Sequence, residues 1–508
     1  MLARSRFHLL ALALGAVSAC AFEPLALWPL MPLCLAGLLA LLGHARRLMP
    51  AVALGWCFGL GNFVVGLNWI AMAFTYQDAM PAWLGWVAVV LLSLYLAVFP
   101  ALATGAAWWM AGGKRARMAP LAIMLAGCWI VSEWLRAVLF TGFAWNPIGV
   151  VLVHGGTLPL AARYVGTYGL GGMVVLLGAA ILGLARAFTR RQPPLRWIGC
   201  MATLVLALLL QLWPVRSELP LPSAPLLHIV QPNIGQDQKW NTDAQGGNFA
   251  RLTRLSGAPG LRPRLLLWPE VAVPAMLEQD ELARLQIAAL LGPRDRILTG
   301  AEAVQYGPDG EIVTASNSLF ALAPDGRVLG RYDKAHLVPY GEYLPMRPLL
   351  SRLGLSRLAP GDMDFLAGPG PRNVTVPGIG QVGVQICYEI IFSGHVVDKA
   401  SRPAFLFNPS NDAWFGRWGP PQHLAQARLR AIEERIPVAR STPTGISAVI
   451  NRDGRLLASL PWRTAGAIEL PLPAAGAATP FSRLGNLLPL LLALALVAAG
   501  FATRMRGR

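Results

Sequence analysis

The sequence predicts two parts of different fold class, a bundle of about eight apolar membrane helices and an α/β domain. Three observations predict this division. The chain has 508 residues, of which 55% are hydrophobic and only 14% are charged, against roughly 25% charged residues in an ordinary soluble domain. Acidic residues are unevenly spread, since 1–215 contains three, 216–480 contains twenty-three and 481–508 contains none. Apolar stretches near the membrane-spanning length of about 20 residues fill only the first and last parts.

Eight apolar segments predict the membrane helices. They cover 7–21, 24–43, 50–74, 82–112, 119–137, 166–185, 196–214 and 485–503. We therefore predict a membrane domain of seven transmembrane helices over 1–215 and a further transmembrane helix within 481–508. Residues 1–20 also resemble a signal peptide. We predict a transmembrane helix there instead, because a second apolar segment follows at once and the loop charges alternate consistently only when the first segment is kept.

The charged loops predict how these helices are oriented. Fourteen basic residues, and no acidic ones, lie at alternate ends of the apolar segments: Arg4, Arg6, Arg46, Arg47, Lys114, Arg115, Arg117, Arg186, Arg190, Arg191, Arg196, Arg504, Arg506 and Arg508. Cytoplasmic loops are enriched in Lys and Arg, so both termini are predicted to be cytoplasmic and 216–480 to lie outside. The net charge of +17 is therefore a signal of topology and does not indicate nucleic-acid binding, because 216–480 carries 26 basic and 23 acidic residues.

The middle part alternates short apolar runs with helical patterns, which is typical of an α/β domain. Strands are predicted at 225–231, 264–268, 297–303, 318–323, 380–386, 403–408 and 446–450, and helices at 245–256, 277–291 and 421–434. Several of these strands are continuously apolar, so we expect sheets that are covered on both faces. Asp309-Gly310, Asp325-Gly326 and Asp453-Gly454 predict tight turns.

Cys387 is the only cysteine outside the apolar segments. It has no neighbour with which to form a disulfide or a zinc site, so it is either a buried inert thiol or a nucleophile. Two other polar residues favour the nucleophile. Glu270, Lys334 and Cys387 each follow an apolar strand, and catalytic groups in doubly covered sheets collect at the carboxyl ends of the strands.

These residues and their surroundings resemble a known family. Glu, Lys and Cys in such settings are similar to the triad of the carbon–nitrogen hydrolase (nitrilase) superfamily. The membrane segments narrow the resemblance to the bacterial apolipoprotein N-acyltransferases, and five motifs carry it: Trp268-Pro269-Glu270, Tyr332-Asp333-Lys334, Val338-Pro339-Tyr340-Gly341-Glu342, Cys387-Tyr388-Glu389 and Ser410-Asn411-Asp412-Ala413-Trp414-Phe415. The resemblance covers essentially the whole chain and implies a nitrilase-like α-β-β-α sandwich for 216–480.

The resemblance also implies a reaction. An acyl chain would move from a membrane phospholipid, through a cysteine thioester, to the α-amino group of the S-diacylglyceryl cysteine of an apolipoprotein. Cys387 would be the nucleophile and would need to form a thiolate near neutral pH. Glu270 would be the general base in both half-reactions, and Lys334 would lower the pKa of the thiol and stabilise the oxyanion together with the main-chain amide of Tyr388. No metal or other cofactor is expected.

Further site residues follow from the same resemblance. Glu342 is expected to position Lys334 or the base, and Tyr388 and Glu389 are expected to support the nucleophile. Trp240 is expected to line the lipid entrance, with an ordinary loop aromatic as the alternative.

Three other features have a structural and a functional interpretation. Either of the histidines His336 and His423 could pair with a cysteine nucleophile, but because Glu and Lys are present we interpret both as structural. Residues 343–366 are apolar and basic, and we interpret them as an arm that enters the membrane interface, with a packed loop as the alternative.

The family's setting would be the inner (cytoplasmic) membrane of a bacterium, with a periplasmic catalytic domain. The chain would be a multi-pass monomer whose partners are phospholipid and diacylglyceryl apolipoprotein, without nucleic acid. A membrane-anchored nitrilase-type amidase acting on a small amide is one alternative, but it would not need eight spans. A transporter is the other, and it is disfavoured because only Glu133, with Arg136 near it, places an acidic group inside a predicted span.

Overall fold

The structure is a computed structural model of the chain, and it describes residues 2–76, 80–154, 156–190, 195–214, 223–239, 241–353, 357–358 and 363–506. The chain forms two compact units. The first consists of Met1–Trp69, Trp86–Arg216 and Ala478–Arg508, and the second of Ile70–Gly85 and Ser217–Ala477. The second unit thus includes one short segment from the part of the sequence that is richest in apolar helices.

Sixteen α-helices are present in the described part of the chain. In order they are α1 (Leu2–Ser18), α2 (Leu30–Leu42), α3 (Leu48–Gly66), α4 (Ile70–Ala73), α5 (Leu84–Leu96), α6 (Val98–Met110), α7 (Met118–Val138), α8 (Ala162–Arg190), α9 (Leu195–Leu212), α10 (Gln236–Lys239), α11 (Thr242–Ser256), α12 (Glu281–Ala288), α13 (Arg347–Leu350), α14 (Gly419–Glu434), α15 (Pro480–Leu484) and α16 (Leu487–Met505).

Twelve β-strands are present in the same described residues. They are β1 (Leu226–Gln231), β2 (Arg264–Leu267), β3 (Arg296–Tyr306), β4 (Ile312–Leu322), β5 (Val328–Asp333), β6 (Asn373–Val376), β7 (Gly380–Val384), β8 (Phe405–Pro409), β9 (Val438–Ser441), β10 (Ala448–Ile450), β11 (Leu456–Ser459) and β12 (Gly466–Pro471). All seven strands predicted from the sequence are among them.

The first unit is built from apolar helices. Five helical stretches are long and apolar enough to cross a membrane: Leu48–Gly66, Leu84–Met110, Met118–Val138, Leu158–Thr189 and Leu487–Met505. Three shorter apolar helices cover Ser5–Ala21, Leu30–Leu42 and Ile198–Leu212. An apolar helix therefore lies at each of the eight predicted segments, while eight complete spans stay a prediction.

Two of the predicted membrane spans differ from the helices in the structure. The span predicted over 50–74 corresponds to α3, which ends at Gly66, and the Asn68 side chain donates a 2.8 Å hydrogen bond to the Val65 carbonyl at this end. The span predicted over 82–112 consists of two helices, α5 and α6, which meet at Ala97. Hydropathy alone marks apolar residues, so it did not detect these interruptions.

A bend in α8 depends on a glycine. Gly166 has φ 63° and ψ 177°, a combination that residues with a Cβ rarely adopt. A Cβ at this position would also lie 2.2 Å from the ring of the fully buried Phe481. The bend therefore lets α15, which carries Phe481, pack closely against α8.

The second unit contains two six-stranded sheets, with strand orders β12-β1-β2-β3-β4-β5 and β11-β10-β9-β8-β7-β6. Strands β1, β2 and β3 are parallel in the first sheet, and β7, β8 and β9 are parallel in the second. Leu252 of α11 and Ile287 of α12 belong to the core that covers the first sheet, and α14 packs against β9 of the second. The sheets meet where Ser441 Oγ donates to the Val230 carbonyl at 2.9 Å. The α-β-β-α sandwich is thereby confirmed.

The predicted tight turns connect antiparallel neighbours. Gly310 lies between β3 and β4, Gly326 between β4 and β5, and Gly454 between β10 and β11. Their φ values are 83°, 78° and 77°, as the second residue of such a turn requires. The second of these hairpins fixes the register of β5, whose end carries Lys334.

Candidate active site

Glu270, Lys334 and Cys387 converge in the second unit, just beyond the ends of β2, β5 and β7. Lys334 Nζ lies 3.6 Å from Glu270 Oε1, and the Lys334 side chain is only 1% exposed. Cys387 is buried as well, and the charges of Glu270 and Lys334 both act on its thiol. The three side chains that the sequence singles out are therefore neighbours.

The nucleophile candidate sits at a sharp bend. Cys387 has φ 51° and begins the short 3-10 helix Cys387–Ile391, which follows β7. A left-handed conformation at a residue with a Cβ costs about 1–3 kcal/mol and is found where the surroundings enforce it. Here Asn408 Nδ2 donates to the carbonyls of Gln385 and Cys387, at 2.5 and 3.4 Å. The bend turns the thiol away from the strand and toward Glu270 and Lys334.

The surroundings of Cys387 favour the thiol over the thiolate in the resting site. Burial is the main cause that raises its pKa well above the ordinary value, and the negative charge of Glu270 raises it further. Lys334 and the Asn411 main-chain N–H, which donates toward the sulfur, act in the opposite direction but do not compensate. Burial, which the sequence-based expectation left out, therefore disfavours the expected thiolate in the resting site. The proton has to leave as the sulfur attacks.

Glu270 is placed to receive that proton. Its Oε1 accepts a 2.7 Å hydrogen bond from Asn317 Nδ2, whereas its buried Oε2 has no hydrogen-bond partner among the described residues. Lys239 Nζ donates to the Glu270 main-chain carbonyl at 3.2 Å and fixes the backbone at this position. One carboxylate oxygen is thus anchored and the other is available.

Lys334 is held as a cation. Its Nζ donates to Glu342 Oε1 at 2.9 Å, and its main-chain N–H donates to the Asn317 carbonyl at 2.9 Å. Burial by itself would lower the pKa of Lys334, but the carboxylates of Glu342 and Glu270 outweigh burial and raise it. Glu342 Oε2 accepts from the Val338 main-chain N–H at 2.8 Å. These contacts fit the expectation that Glu342 positions Lys334.

Glu389 connects the loop after β5 with the nucleophile loop. Its Oε1 accepts from the Tyr332 hydroxyl at 2.9 Å, from the Ala335 N–H at 2.7 Å and from the His336 N–H at 3.0 Å. Its Oε2 accepts from the Ile386 N–H at 2.6 Å. Burial raises the pKa of Glu389 to about 7 in spite of these donors. The residue next to Lys334 and the residue before Cys387 are therefore tied to one carboxyl group.

Two further expectations concern aromatic residues. Tyr388 is buried, and its ring packs edge-on against Phe392, with 5.2 Å between the ring centroids. Its main-chain amide directly follows the nucleophile, as the oxyanion expectation requires. Trp240 lies outside the described residues. Within the described ranges, no three His, Cys, Asp or Glu side chains are grouped in a way that could hold a metal ion.

Sequence reasoning missed Asn317 and Lys239. Asn317, on β4, bridges two carboxylates, because Nδ2 also donates to Glu342 Oε1 at 2.9 Å. Its signal in the sequence is the polar run Ser316-Asn317-Ser318 inside an apolar strand. Burial lowers the pKa of Lys239 to about 8, although Glu270, Glu302 and Cys387 act to raise it. In the sequence, Lys239 is distinguished only by its position next to Trp240.

The two histidines differ in their relation to the nucleophile. His336 stacks on Phe392 at 3.8 Å between ring centroids and takes the structural place expected of it. His423 instead lies 3.0 Å, through Nε2, from the carbonyl oxygen of Cys387. Its structural interpretation is therefore incomplete.

Comparison with known families divides the chain into two parts. The model of the apolipoprotein N-acyltransferase N-terminal domain matches residues 14–180. The carbon–nitrogen hydrolase model matches residues 229–478, which includes Glu270, Lys334 and Cys387.

Two solved structures from the nitrilase superfamily are similar to about half of this chain. One is a mutant of the amidase from Nesterenkonia sp. AN1, with 17% identity, a TM-score of 0.33, and coverage of 53% of this chain and 95% of that one. Another is Nit3 of Saccharomyces cerevisiae, with 17% identity, a TM-score of 0.35, and coverage of 51% of this chain and 93% of that one.

Whole-length relatives are similar over both units. The apolipoprotein N-acyltransferase of Rhodopseudomonas palustris is 37% identical over 498 residues, which cover 94% of this chain and 91% of that protein. The apolipoprotein N-acyltransferase of Bradyrhizobium diazoefficiens is 36% identical over 514 residues, which cover 97% of this chain and 94% of that protein. Because the similarity extends over nearly the full length of both relatives, this chain belongs to the apolipoprotein N-acyltransferase family.

Proposed function

We propose that this chain transfers an acyl chain from a membrane phospholipid to the α-amino group of the S-diacylglyceryl cysteine of an apolipoprotein. The acyl group would rest on Cys387 as a thioester between the two half-reactions. Glu270 and Lys334 would complete the catalytic set, with Glu342, Tyr388, Glu389 and the undescribed Trp240 in supporting roles. The relatives are named apolipoprotein N-acyltransferases, which supports an apolipoprotein as the acyl acceptor. The arrangement of Cys387, Glu270 and Lys334 supports a thioester intermediate.

One observation carries the proposal. The buried Cys387 thiol lies near Glu270, a carboxylate with one unpartnered oxygen, and near Lys334, a lysine held as a cation. A proton that moves from sulfur to Glu270 creates a thiolate without changing the net charge of the site, so no new charge has to be desolvated. A nucleophile, its base and an electrophilic cation are the parts that acyl transfer needs.

In the first half-reaction, Glu270 Oε2 takes the proton from Cys387 as the sulfur attacks the ester carbonyl carbon of the phospholipid. The oxyanion that forms is stabilised by Lys334 Nζ and by the main-chain N–H of Tyr388. The carbon–oxygen bond then breaks, and Glu270 returns the proton to the alkoxide of the leaving lysophospholipid. The products are a lysophospholipid and the acyl thioester of Cys387.

In the second half-reaction, the free amine of the diacylglyceryl cysteine attacks the thioester carbon. Glu270 takes a proton from the attacking nitrogen, and the tetrahedral oxyanion is stabilised as before. The carbon–sulfur bond breaks, and Glu270 returns the proton to the sulfur of Cys387. The thioester keeps the acyl group reactive toward the amine, and a site from which water is excluded protects it from hydrolysis.

The setting is part of the same proposal. We assign 1–215 and 481–508 to a multi-pass membrane domain of the bacterial inner membrane and 216–480 to a periplasmic catalytic domain of a monomer. The five long apolar helices support integration in a membrane. The basic residues on alternate loops support the cytoplasmic location of both termini.

Intact-mass measurement of the purified protein tests the chemistry. After incubation with phospholipid vesicles alone, the wild-type chain should gain the mass of one acyl group, and hydroxylamine should remove it, as expected for a thioester. Cys387→Ala and Cys387→Ser should show no thioester and no acyl transfer to a diacylglyceryl peptide. Glu270→Gln should form the adduct about 10²–10⁴-fold more slowly, because it lacks the base.

Two outcomes would contradict the proposal. Substantial acyl transfer by Cys387→Ala would remove the thioester. A wild-type protein that hydrolyses a small amide rapidly, but gains no acyl group from phospholipid, would support a membrane-anchored amidase instead.

A further inference from the structure

A buried polar network lies behind the nucleophile, on the side of the main chain. Its members are His423 on α14, Asp412 and Arg440, and the side chains of all three are fully buried. Arg440 Nη2 donates to both carboxylate oxygens of Asp412 at 2.6 Å, and His423 Nδ1 lies 3.0 Å from Asp412 Oδ1. The far side of the imidazole, Nε2, lies 3.0 Å from the Cys387 carbonyl oxygen.

The partners of His423 orient its ring. The Cys387 carbonyl only accepts hydrogen bonds, so Nε2 must carry a proton and donate it. On the opposite side of the ring, Nδ1 lies 3.0 Å from both Asp412 Oδ1 and Arg440 Nη2. Arg440 and Asp412 therefore orient an imidazole whose Nε2–H donates to the main chain of Cys387.

The same network contacts the nucleophile at a second point. Asp412 follows Asn411, whose main-chain N–H donates toward the Cys387 sulfur. Arg440 also donates to Asn408 Oδ1 and so orients the amide that donates to the carbonyls of Gln385 and Cys387. The carbonyl and the sulfur of Cys387 are thus both fixed by groups that Arg440 and Asp412 hold in place.

We propose that His423 is a positioning residue for the acyl-transfer reaction. By donating to the Cys387 carbonyl it keeps that residue in its left-handed conformation, with the thiol directed at Glu270 and Lys334. This role rests on the proposed function, since it assumes that Cys387 forms the thioester. It explains the place of the Ser410–Phe415 motif, because Asp412 belongs to both the motif and the network.

Two amide substitutions isolate the hydrogen bond to Cys387. His423→Gln places an N–H near the position of Nε2 and should keep the rate of thioester formation within about threefold of the wild type. His423→Asn is one methylene shorter and should not reach the Cys387 carbonyl. Because a small misplacement of a reacting group can cost about 10²-fold in rate, we expect His423→Asn to slow thioester formation 10- to 100-fold without raising the apparent KM for phospholipid.

His228 provides a matched control. It is also buried, with Nδ1 2.9 Å from Glu469 Oε2 and Nε2 2.8 Å from the Leu255 carbonyl, but its partners are not part of the site. His228→Asn and His228→Gln should form thioester at the wild-type rate per folded molecule. Circular dichroism and thermal melting report the folded fraction of each variant.

The outcomes separate this inference from the proposed function. Equal rates for His423→Asn and His423→Gln, in folded protein, would overturn the positioning role. The positioning role would also be overturned if His423→Asn lost only as much stability as His228→Asn and formed thioester at the wild-type rate per folded molecule. A wild-type protein that forms no thioester would instead overturn the proposed function, and that measurement is made first.

Discussion

Two carboxylates share the lysine of the candidate site, and an amide holds them in place. Glu342 and Glu270 lie 2.9 and 3.6 Å from Lys334 Nζ, and Asn317 Nδ2 donates to both carboxylates. Two carboxylates this close repel each other. Lys334 and Asn317 together offset this repulsion, and neither would do so alone. We therefore expect Asn317 to act on the proposed reaction through Glu270, as a positioning residue.

Asn317→Leu should slow thioester formation about 10- to 100-fold, because hydrogen bonds to charged groups contribute about 1.5–3 kcal/mol each. Without the amide, Glu270 is free to rotate away from the thiol. Asn373→Leu is the matched control, since Asn373 donates to the Ser401 carbonyl from β6. Single-turnover rates from intact mass compare the two variants. Equal rates for Asn317→Leu and the wild type would show that Lys334 alone positions Glu270.

Lys239 adds a second cation whose charge depends on pH. Burial lowers its pKa to about 8, so its ammonium loses the proton as the pH rises through 8, well before an exposed lysine would. The ammonium favours the charged forms of Glu270 and Cys387, and its loss should therefore slow thioester formation in alkaline solution.

This expectation is tested with Lys239→Arg, which stays charged throughout the range. Wild-type rates measured between pH 6 and 9.5 should fall above pH 8, whereas Lys239→Arg should keep its rate to higher pH. Lys239→Met should be slow at every pH. An alkaline limb that is identical in the wild type and in Lys239→Arg would assign the titration to another group.

At the scale of elements, the arm of residues 343–366 is anchored close to the site. The Phe365 N–H donates to the Glu342 carbonyl at 3.0 Å, and the Leu366 N–H donates to the Ala315 carbonyl at 2.7 Å. Arg357 stacks on Phe365 at 5.0 Å and also donates to the Glu342 carbonyl. Between these anchors, α13 exposes apolar side chains. Residues 354–356 and 359–362 of the arm lie outside the described ranges.

The exposed apolar side chains of this arm motivate a prediction about lipid access. Met346 and Leu349 are 65% and 55% exposed, and we expect them to insert into the membrane interface. A fully buried side chain of this size gains about 1.5–3 kcal/mol, and partial insertion gains less. Met346→Ser combined with Leu349→Ser should slow acyl transfer from bilayer phospholipid about tenfold and leave alkylation of Cys387 by a small soluble reagent near normal.

Leu261→Ser is the control for this double variant, because Leu261 is 93% exposed on the same unit and lies outside the arm. It should affect neither measurement. If the double variant loses alkylation as severely as lipid turnover, the arm belongs to the folded core and the packed-loop interpretation is correct.

Sequence patterns correctly predicted the elements whose side chains are mostly buried. All seven predicted strands are present, since apolar runs bounded by Asp-Gly turns report burial directly. It did not locate interruptions within apolar segments. α3 ends at Gly66, close to the hydrogen bond from Asn68 to the Val65 carbonyl, and α5 and α6 meet at Ala97 inside a single apolar segment.

The same distinction holds within the site. Glu270, Lys334 and Cys387 were found because each follows a strand, whereas the contacts of Asn317 and His423 depend on the tertiary packing of the strand β4 and the helix α14. Those contacts join residues that are 47 and 36 positions apart in the chain, and no local pattern encodes them.

At the scale of the whole molecule, charge and hydropathy divide the chain in the same way as its compact units. Apolar helices belong almost entirely to the first unit, while the second carries nearly all of the acidic residues. A periplasmic catalytic domain would meet lipoproteins after their export, when the modified cysteine carries a free amine. The proposed reaction therefore depends on the orientation of the first unit in the membrane.

Reporter fusions test that orientation. Fusions after residues 116, 192 and 508 should be fluorescent with a reporter that folds only in the cytoplasm, because these sites adjoin the loops that carry the fourteen basic residues. Fusions after residues 240 and 400 should be active with a phosphatase that needs the oxidising periplasm. Each site is tested with both reporters, so that a poorly expressed fusion is recognised by low signal from both. Phosphatase activity after 116 or 192 would invert the membrane unit, place Cys387 in the cytoplasm and separate it from exported apolipoproteins.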